Sequence, residues 1–263
     1  MQTPASSTPI GETVTVLVIL ALGFFLGMRH ATDADHVVAV TTIVSRERSA
    51  RAALAIGGLW GLGHSVTILG VGGAIVVLGL IIPPRVGLGM EMSVAAMLVV
   101  LGITNLTGAI RPLEQAAHST SSDGGGRANA NAMAVLLRQD MSRVLRPIVV
   151  GVVHGLAGSA AVALLVLTTI REQARALLYL GIFGAGTVIG MMLLTAAIVV
   201  PLAGLTRRFG SVERVISCAT GLMSIAFGLC LGYKIGIVDG LFGGAPTWMR
   251  QFLDATGMSP RGE

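Results

Sequence analysis

Hydrophobic positions along the 263-residue chain gather into six long windows, set apart by short polar breaks. They cover about Val14–Val44, Leu54–Ile82, Met90–Ile110, Pro147–Ile170, Leu177–Leu202 and Val212–Ile235. Apolar runs of about 18 residues or more are the mark of membrane-spanning helices. At about 1.5 Å per residue, each window is long enough for a hydrocarbon core about 30 Å thick. The ten-residue alternating segments of a membrane β-barrel are absent. The pattern predicts an all-α, polytopic membrane protein with six transmembrane helices. The first window would make about 46 Å of unbroken helix. It is therefore expected to tilt steeply, project beyond the bilayer, or kink or break at the polar residues 29–36 that interrupt it.

Composition supports the same class. Charged residues make up 12% of the chain and hydrophobic residues 53%, with a mean hydropathy of +0.82. A soluble domain carries roughly 25% charged residues, so the charges here cannot cover a water-facing surface. A disordered chain and a basic nucleic-acid binder are excluded, since the net charge of +5 comes from arginines in short loops. The 36 glycines are about twice the usual share, as expected where small residues let membrane helices approach closely. Cys218 and Cys230 both lie in one apolar window and do not make a disulfide framework. The opening residues lack a positive n-region and a clean cleavage site, so the first span is expected to be retained.

The basic residues predict the orientation. With the N-terminus outside, eleven fall on the cytoplasmic side (Arg46, Arg48, Arg51, Arg111, Arg127, Arg138, Arg143, Arg146, Arg207, Arg208, Arg214) and six outside. The positive-inside rule favours that arrangement. The whole chain, 1–263, reads as one transmembrane domain. Residues 111–146 form a cytoplasmic loop rich in Ser, Gly and Asn at its middle, with a short amphipathic helix expected over Ala132–Leu145. Residues 240–263 form an interfacial tail. The chain also resembles itself: Gly27-Met-Arg-His30-Ala31 matches Gly151-Val-Val-His154-Gly155 at an offset of 124, and Gly61-Leu-Gly63-His64 matches Gly184-Ala-Gly186-Thr187 at 123. Two units of three helices, about 12–110 and 147–236, must insert with opposite orientation. That is the 3+3 inverted repeat of many transporters, with the substrate site at the repeat interface.

Chemistry concentrates at Arg29-His30-Ala31-Thr32-Asp33-Ala34-Asp35-His36. Ionisable groups inside a membrane segment are expensive and face a pathway or a partner. On a helix His30, Asp33 and His36 share a face, while Asp35 points elsewhere unless a kink gathers it. Imidazole with one or two carboxylates suits a divalent first-row metal rather than calcium or magnesium. The competing reading is a helix end facing the cytoplasm, where the acids neutralise Arg29 and the arginines beyond. Eight apolar or small residues between His36 and Ser45 argue against it.

His64 lies about ten residues into the second window, with Ser65 and Thr67 beside it. A lone membrane histidine is often a helix-to-helix hydrogen-bonding residue, and the neighbouring cluster weakens that reading. His154 opens the fourth window and, if the repeat holds, stands opposite His30. The Gly158-Ser159 stretch after it reads equally as a packing strip. The expected metal ligands are His30, Asp33, Asp35, His36, His64 and His154. Arg29, Ser65, Thr67, Asn105, Ser159 and Thr187 are expected on the pathway or behind the ligands, with Arg29 holding Asp33 or Asp35 when the site is empty. Glu91 and Glu213, near span starts, read as interfacial. No GxxxxGK[ST], HExxH, CxxC or GxSxG motif is present, so neither an ATP motor nor a hydrolase is expected.

His30-(four residues)-Asp35-His36 resembles the HX4DH signature of the nickel/cobalt transporter family, and Leu62-Gly63-His64-Ser65 with Thr67 resembles its LGHS-type element. Together these motifs cover about forty residues, and the spacing of apolar spans extends the likeness over most of the chain. The resemblance implies a secondary permease for Ni²⁺ or Co²⁺, with His30, Asp33, Asp35, His36 and His64 on the path. The later acidic LGxDTATE-like motif of typical members is absent. His154-Gly-Leu-Ala-Gly-Ser-Ala-Ala stands in its place and resembles the shorter urease-accessory type.

The expected function is transport of Ni²⁺, or of Co²⁺, as substrate by a non-enzymatic permease with no resident cofactor, in a bacterial or archaeal plasma (inner) membrane. Expected partners are the metal ion and the lipid bilayer, with a second copy of the chain and nickel-enzyme maturation proteins as candidates. The alternatives are a small-anion or sulfite-type exporter, and a membrane accessory protein that delivers nickel without moving it across.

Overall fold

The computed structural model describes residues 9–45, 47, 49–80, 82–118, 144–157, 172–208, 210–243 and 246. Every regular element among them is helical. In chain order these are α1 (Pro9–His30), α2 (Ala34–Val44), α3 (Ala50–Thr67), α4 (Gly73–Leu78), α5 (Pro84–His118), α6 (Val144–Ala157), α7 (Gln173–Arg208) and α8 (Gly210–Tyr233). A π turn, Ile68–Gly72, joins α3 to α4 without a break, and a second, Lys234–Val238, extends α8. Among the described residues, four helical stretches are long and apolar enough to cross a membrane, and the α1–α2 pair makes a fifth if taken as one span.

The first window is broken, one of the three outcomes that its length left open. α1 and α2 meet at 54° across Ala31, Thr32 and Asp33. The Thr32 N–H donates to Arg29 O and the Asp33 N–H to His30 O, at 2.9 and 3.1 Å, closing α1 with tight turns. Asp33 is extended (φ −61°, ψ 149°), and its carbonyl accepts from the Val37 N–H to begin α2. Asp35 sits in the first turn of α2, where the positive end of the helix dipole favours a carboxylate.

Other ends follow local rules. Ser49 caps α3 by accepting from the Ala52 N–H. Gly79, left-handed at φ +63°, ends α4, and Pro84 occupies the first position of α5, where its missing N–H costs nothing. Two helices overrun their apolar windows. α5 continues through Arg111-Pro112 to His118 rather than ending at Ile110, and α7 spans Gln173–Arg208 rather than Leu177–Leu202. An apolar window marks the membrane-embedded length. Polar residues with good helix propensity, such as Glu114 and Gln115, carry the helix beyond it. α6 holds the start of the fourth window. The rest of that window, the loop residues 119–143 with the expected amphipathic helix up to 143, and the tail from 247 lie outside the described residues.

Packing is organised by glycines. α7 lies against α1 and α3, and α5 lies against α8. A methyl group on Gly27 would collide with the Phe183 carbonyl, and one on Gly186 with the Phe24 carbonyl, so α1 and α7 touch backbone to backbone. The α3–α6 contact is built likewise: Gly151 faces the Trp60 carbonyl and Gly63 the Ile148 carbonyl. These are the same contacts moved along the chain. Adding 124 to residues of α1 and 123 to residues of α3 turns Gly27, Phe24, Trp60 and Gly63 into Gly151, Ile148, Phe183 and Gly186.

Candidate metal site

The histidines converge where the break between α1 and α2 meets α3 and α6. His30 is the last residue of α1, and His36 lies in the first turn of α2. The bend turns them back on each other, with ring centroids 4.8 Å apart. Trp60 and His64, one helical turn apart on α3, present one face. The Trp60 indole stacks on His36 at 5.6 Å, and the His64 ring lies 5.2 Å from both His30 and His36. From α6, His154 approaches His36 at 4.7 Å and Trp60 at 5.4 Å. His36 therefore sits between His30 and His154, which had been expected to face each other. His36, His64 and His154 are each at most 2% exposed.

The carboxylates divide two tasks. Asp33 Oδ2 lies 2.7 Å from His30 Nδ1, and Asp35 Oδ1 lies 3.2 Å from His36 Nδ1. Each pairing assigns the Nδ1 proton to the hydrogen bond and leaves an Nε2 lone pair. Carboxylates orient metal-binding histidines in this way. His30 Nε2 then faces His64 Nε2 at 3.2 Å. Asp33, with 52% of its side chain exposed, does no more than hold His30. Asp35 does more, because its second oxygen lies 3.4 Å from His154 Nε2.

Two overlapping ligand groups result. His30, His36 and His64 form one, and Asp35, His36 and His154 the other; within each, the ligand atoms lie within 4.8 Å of one another. A first-row cation with bonds of about 2.0–2.1 Å holds neighbouring ligand atoms about 3–3.5 Å apart. The His30–His64 edge, 3.2 Å, already has that length, and the longer edges, all within 4.8 Å, need close by no more than about an ångström. Among the described residues, five buried ring nitrogens have no hydrogen-bond partner: the Trp60 indole Nε1, His36 Nε2, His64 Nδ1 and both of His154, of which Nε2 has only the 3.4 Å approach of Asp35. An unsatisfied buried polar group costs about 1–3 kcal/mol, and a cation would satisfy those with bare lone pairs. The donor set, mostly imidazole with one carboxylate, matches a divalent first-row metal.

The remaining predicted residues separate. The Ser65 hydroxyl donates to the Gly184 carbonyl at 2.9 Å and ties α3 to α7. Thr67 and Thr187 donate to Gly63 and Phe183 in their own helices. Arg29 is exposed and pairs with neither Asp33 nor Asp35 among the described residues, because His30 holds the first and His36 with His154 the second. Asn105 belongs elsewhere. Its amide donates to Ser217 O and Thr220 Oγ1, and its carbonyl accepts from Ser45. Ser45 stands ten residues, about 15 Å, along α2 from Asp35, so Asn105 clasps α2, α5 and α8 away from the histidines. Ser159 lies outside the described residues.

Three residues near the site were not placed there by the sequence, in which Trp60 and Phe183 had no role and Glu91 read as interfacial. Trp60 floors His36, and Phe183 lies 5.7 Å from the His30 ring. Glu91 of α5, half-buried, lines with Asp35 a cavity of about 300 Å³ whose other walls include Val94, Ala157, Phe227 and Leu231.

Among known proteins, the chain is similar to the urease accessory protein UreH of Bacillus sp. (strain TB-90), with 33% identity over 239 residues, 91% of this chain and 100% of that relative. No family model matches the chain. No solved structure matches it either.

Proposed function

Because this chain belongs to the family of the urease accessory protein UreH, we propose that it moves a divalent nickel ion across the membrane as a secondary permease of the nickel/cobalt transporter type. Co²⁺ is the second substrate. The observation that carries this reading is the pair of three-ligand groups sharing His36. A resident structural metal needs one closed set of ligands. Two adjacent sets with one ligand in common suit an ion that enters, steps and leaves. Neutral imidazoles replace part of the hydration shell, and Asp35 supplies a compensating charge.

The membrane arrangement proposed is six spans with the N-terminus outside, built as a 3+3 inverted repeat. The repeated glycine–carbonyl contacts between α1–α7 and α6–α3 support the repeat, and the eleven-to-six distribution of basic residues supports the orientation. Rocking one half against the other would expose the site alternately. The chain supplies no nucleotide-binding motif, and the transport proposed is non-enzymatic.

The test is uptake of radioactive nickel by proteoliposomes holding the purified protein. Flux that disappears in His36→Ala supports the reading. Flux equal to that of empty vesicles sinks it. The name of the relative favours a second reading, delivery of nickel to an enzyme without flux, and tight binding without uptake would select it. A small-anion exporter is disfavoured, since both ionisable groups on the cavity wall, Asp35 and Glu91, are carboxylates.

A further inference from the structure

The cavity beside Asp35 is not part of either ligand group, yet it ends on one. Asp35 contributes one oxygen to His36 and the other to the neighbourhood of His154, and the same residue forms the cavity wall. Glu91 lies on that wall seven residues from the start of α5, about 10 Å along its axis. The walls between the two carboxylates are apolar, with Val94, Phe227 and Leu231 prominent. Carboxylates set in low-dielectric walls focus a negative potential and raise the local concentration of cations. Size agrees as well. Six waters occupy about 180 Å³ at liquid volume, so a cavity of about 300 Å³ admits a divalent cation with its first hydration shell.

The opposite end of three of the four helices that line it, α2, α5 and α8, is tied together. Asn105 lies fourteen residues beyond Glu91 on α5, about 21 Å, where Ser45, Asn105, Ser217 and Thr220 bind α2, α5 and α8 together. Among the described residues, the cavity reaches Asp35 at one end of these helices and the polar clasp ties their other end.

We infer that this cavity is the access route for the hydrated cation, that Glu91 is its outer binding carboxylate, and that the ion passes from Glu91 to Asp35 before shedding water onto His36 and His154. The inference rests on the metal-transport reading above and adds to it a second binding position, a direction of approach and a hydrated substrate form.

Nickel flux and nickel binding are to be measured on the wild type, Glu91→Gln, Leu231→Trp and His36→Ala, each in full-length form. Glu91→Gln is expected to lower flux about tenfold at sub-saturating nickel, with the affinity of the histidine cluster within about twofold of wild type by equilibrium dialysis. Leu231→Trp is expected to block flux by filling the cavity. In a Cys218→Ser/Cys230→Ser background, Leu231→Cys is expected to react with a membrane-impermeant thiol reagent added from the Pro84 side and to be protected by Ni²⁺. Wild-type flux in both Glu91→Gln and Leu231→Trp, with flux lost in His36→Ala, overturns the route and leaves the cluster reading standing. Labelling of Leu231→Cys only from the other side, or indifference to Ni²⁺, overturns it independently of how the Glu91 variant folds. A wild type without nickel flux overturns both readings.

Discussion

His154 Nε2 on α6 lies 3.4 Å from Asp35 Oδ2 at the start of α2, although 119 residues separate them in the chain. Through Asp35 and His36, the break in the first span and the start of the fourth window hold one group of ligands in common. His36 then links that group to His30 and His64. This sharing makes the ligand sites unequal in consequence.

His36→Ala removes a ligand from both groups, whereas His64→Ala and His154→Ala each remove one from a single group. The His36 variant is therefore expected to lose nickel affinity as severely as the His64→Ala/His154→Ala double variant, by more than about 100-fold. Each single variant is expected to keep measurable binding. Isothermal titration in detergent decides the order, and equal losses in all three singles would contradict the overlap.

Asp33→Asn keeps shape but weakens the acceptor that holds His30 Nδ1. Its expected effect is a loss of affinity of about 10–100-fold, the usual range for a group behind a metal ligand. Asp33→Glu is expected to restore part of it. Spectra of the Co²⁺-loaded protein would report the reoriented imidazole, which a general loss of stability would not change.

Gly27→Ala and Gly151→Ala insert a methyl group against the Phe183 and Trp60 carbonyls. Each is expected to destabilise the protein by about 1–3 kcal/mol or more, as overpacking does. Gly181→Ala, whose new methyl group meets nothing within 4 Å, is the control and is expected to be neutral or slightly stabilising. Thermal unfolding in detergent gives the comparison.

Asn105→Leu leaves Ser45 and the Ser217 carbonyl without their amide partner. Hydrogen bonds between membrane helices are worth about 0.6–2 kcal/mol, so a modest fall in melting temperature is expected. Nickel affinity should stay within about twofold, because Ser45, which Asn105 holds, stands about 15 Å along α2 from Asp35. A large loss of affinity would return Asn105 to the site.

Trp60 stacks on His36 at 5.6 Å, and the chain has one other tryptophan, Trp248. In a Trp248→Phe background, binding of paramagnetic Ni²⁺ is expected to quench Trp60 fluorescence with the same midpoint as direct titration. Unchanged emission at saturating metal would place the ion elsewhere.

Much of this site was legible in the sequence because buried charge is rare in a membrane chain. His30, Asp35, His36 and His64 could be selected by chemistry alone, and the length of the first window allowed, among other outcomes, the break that brings them together. Partner assignments were not legible. Whether Asp33 or Asp35 meets the second half depends on the 54° bend and on the placement of α6, neither of which a single-helix wheel contains. Asn105 looked like a path residue because it is polar in an apolar span, yet its neighbours Ser45, Ser217 and Thr220 come from distant segments. Glu91 looked interfacial from its distance to the span start, and Trp60 was assigned no role. Both acquire one only from what lies opposite them.

The three-residue joint between α1 and α2 turns coordination into mechanics. His30 rides on one rigid rod, and Asp35 and His36 ride on another. Opening the joint by about ten degrees displaces an atom about 6 Å from the pivot by about an ångström, the scale of hinge motions that small contacts control. That covers the most by which the His30–His36 edge, within 4.8 Å, must shrink to grip an ion. A bound cation would thus pin the joint at one angle, and its departure would release the two rods to move independently.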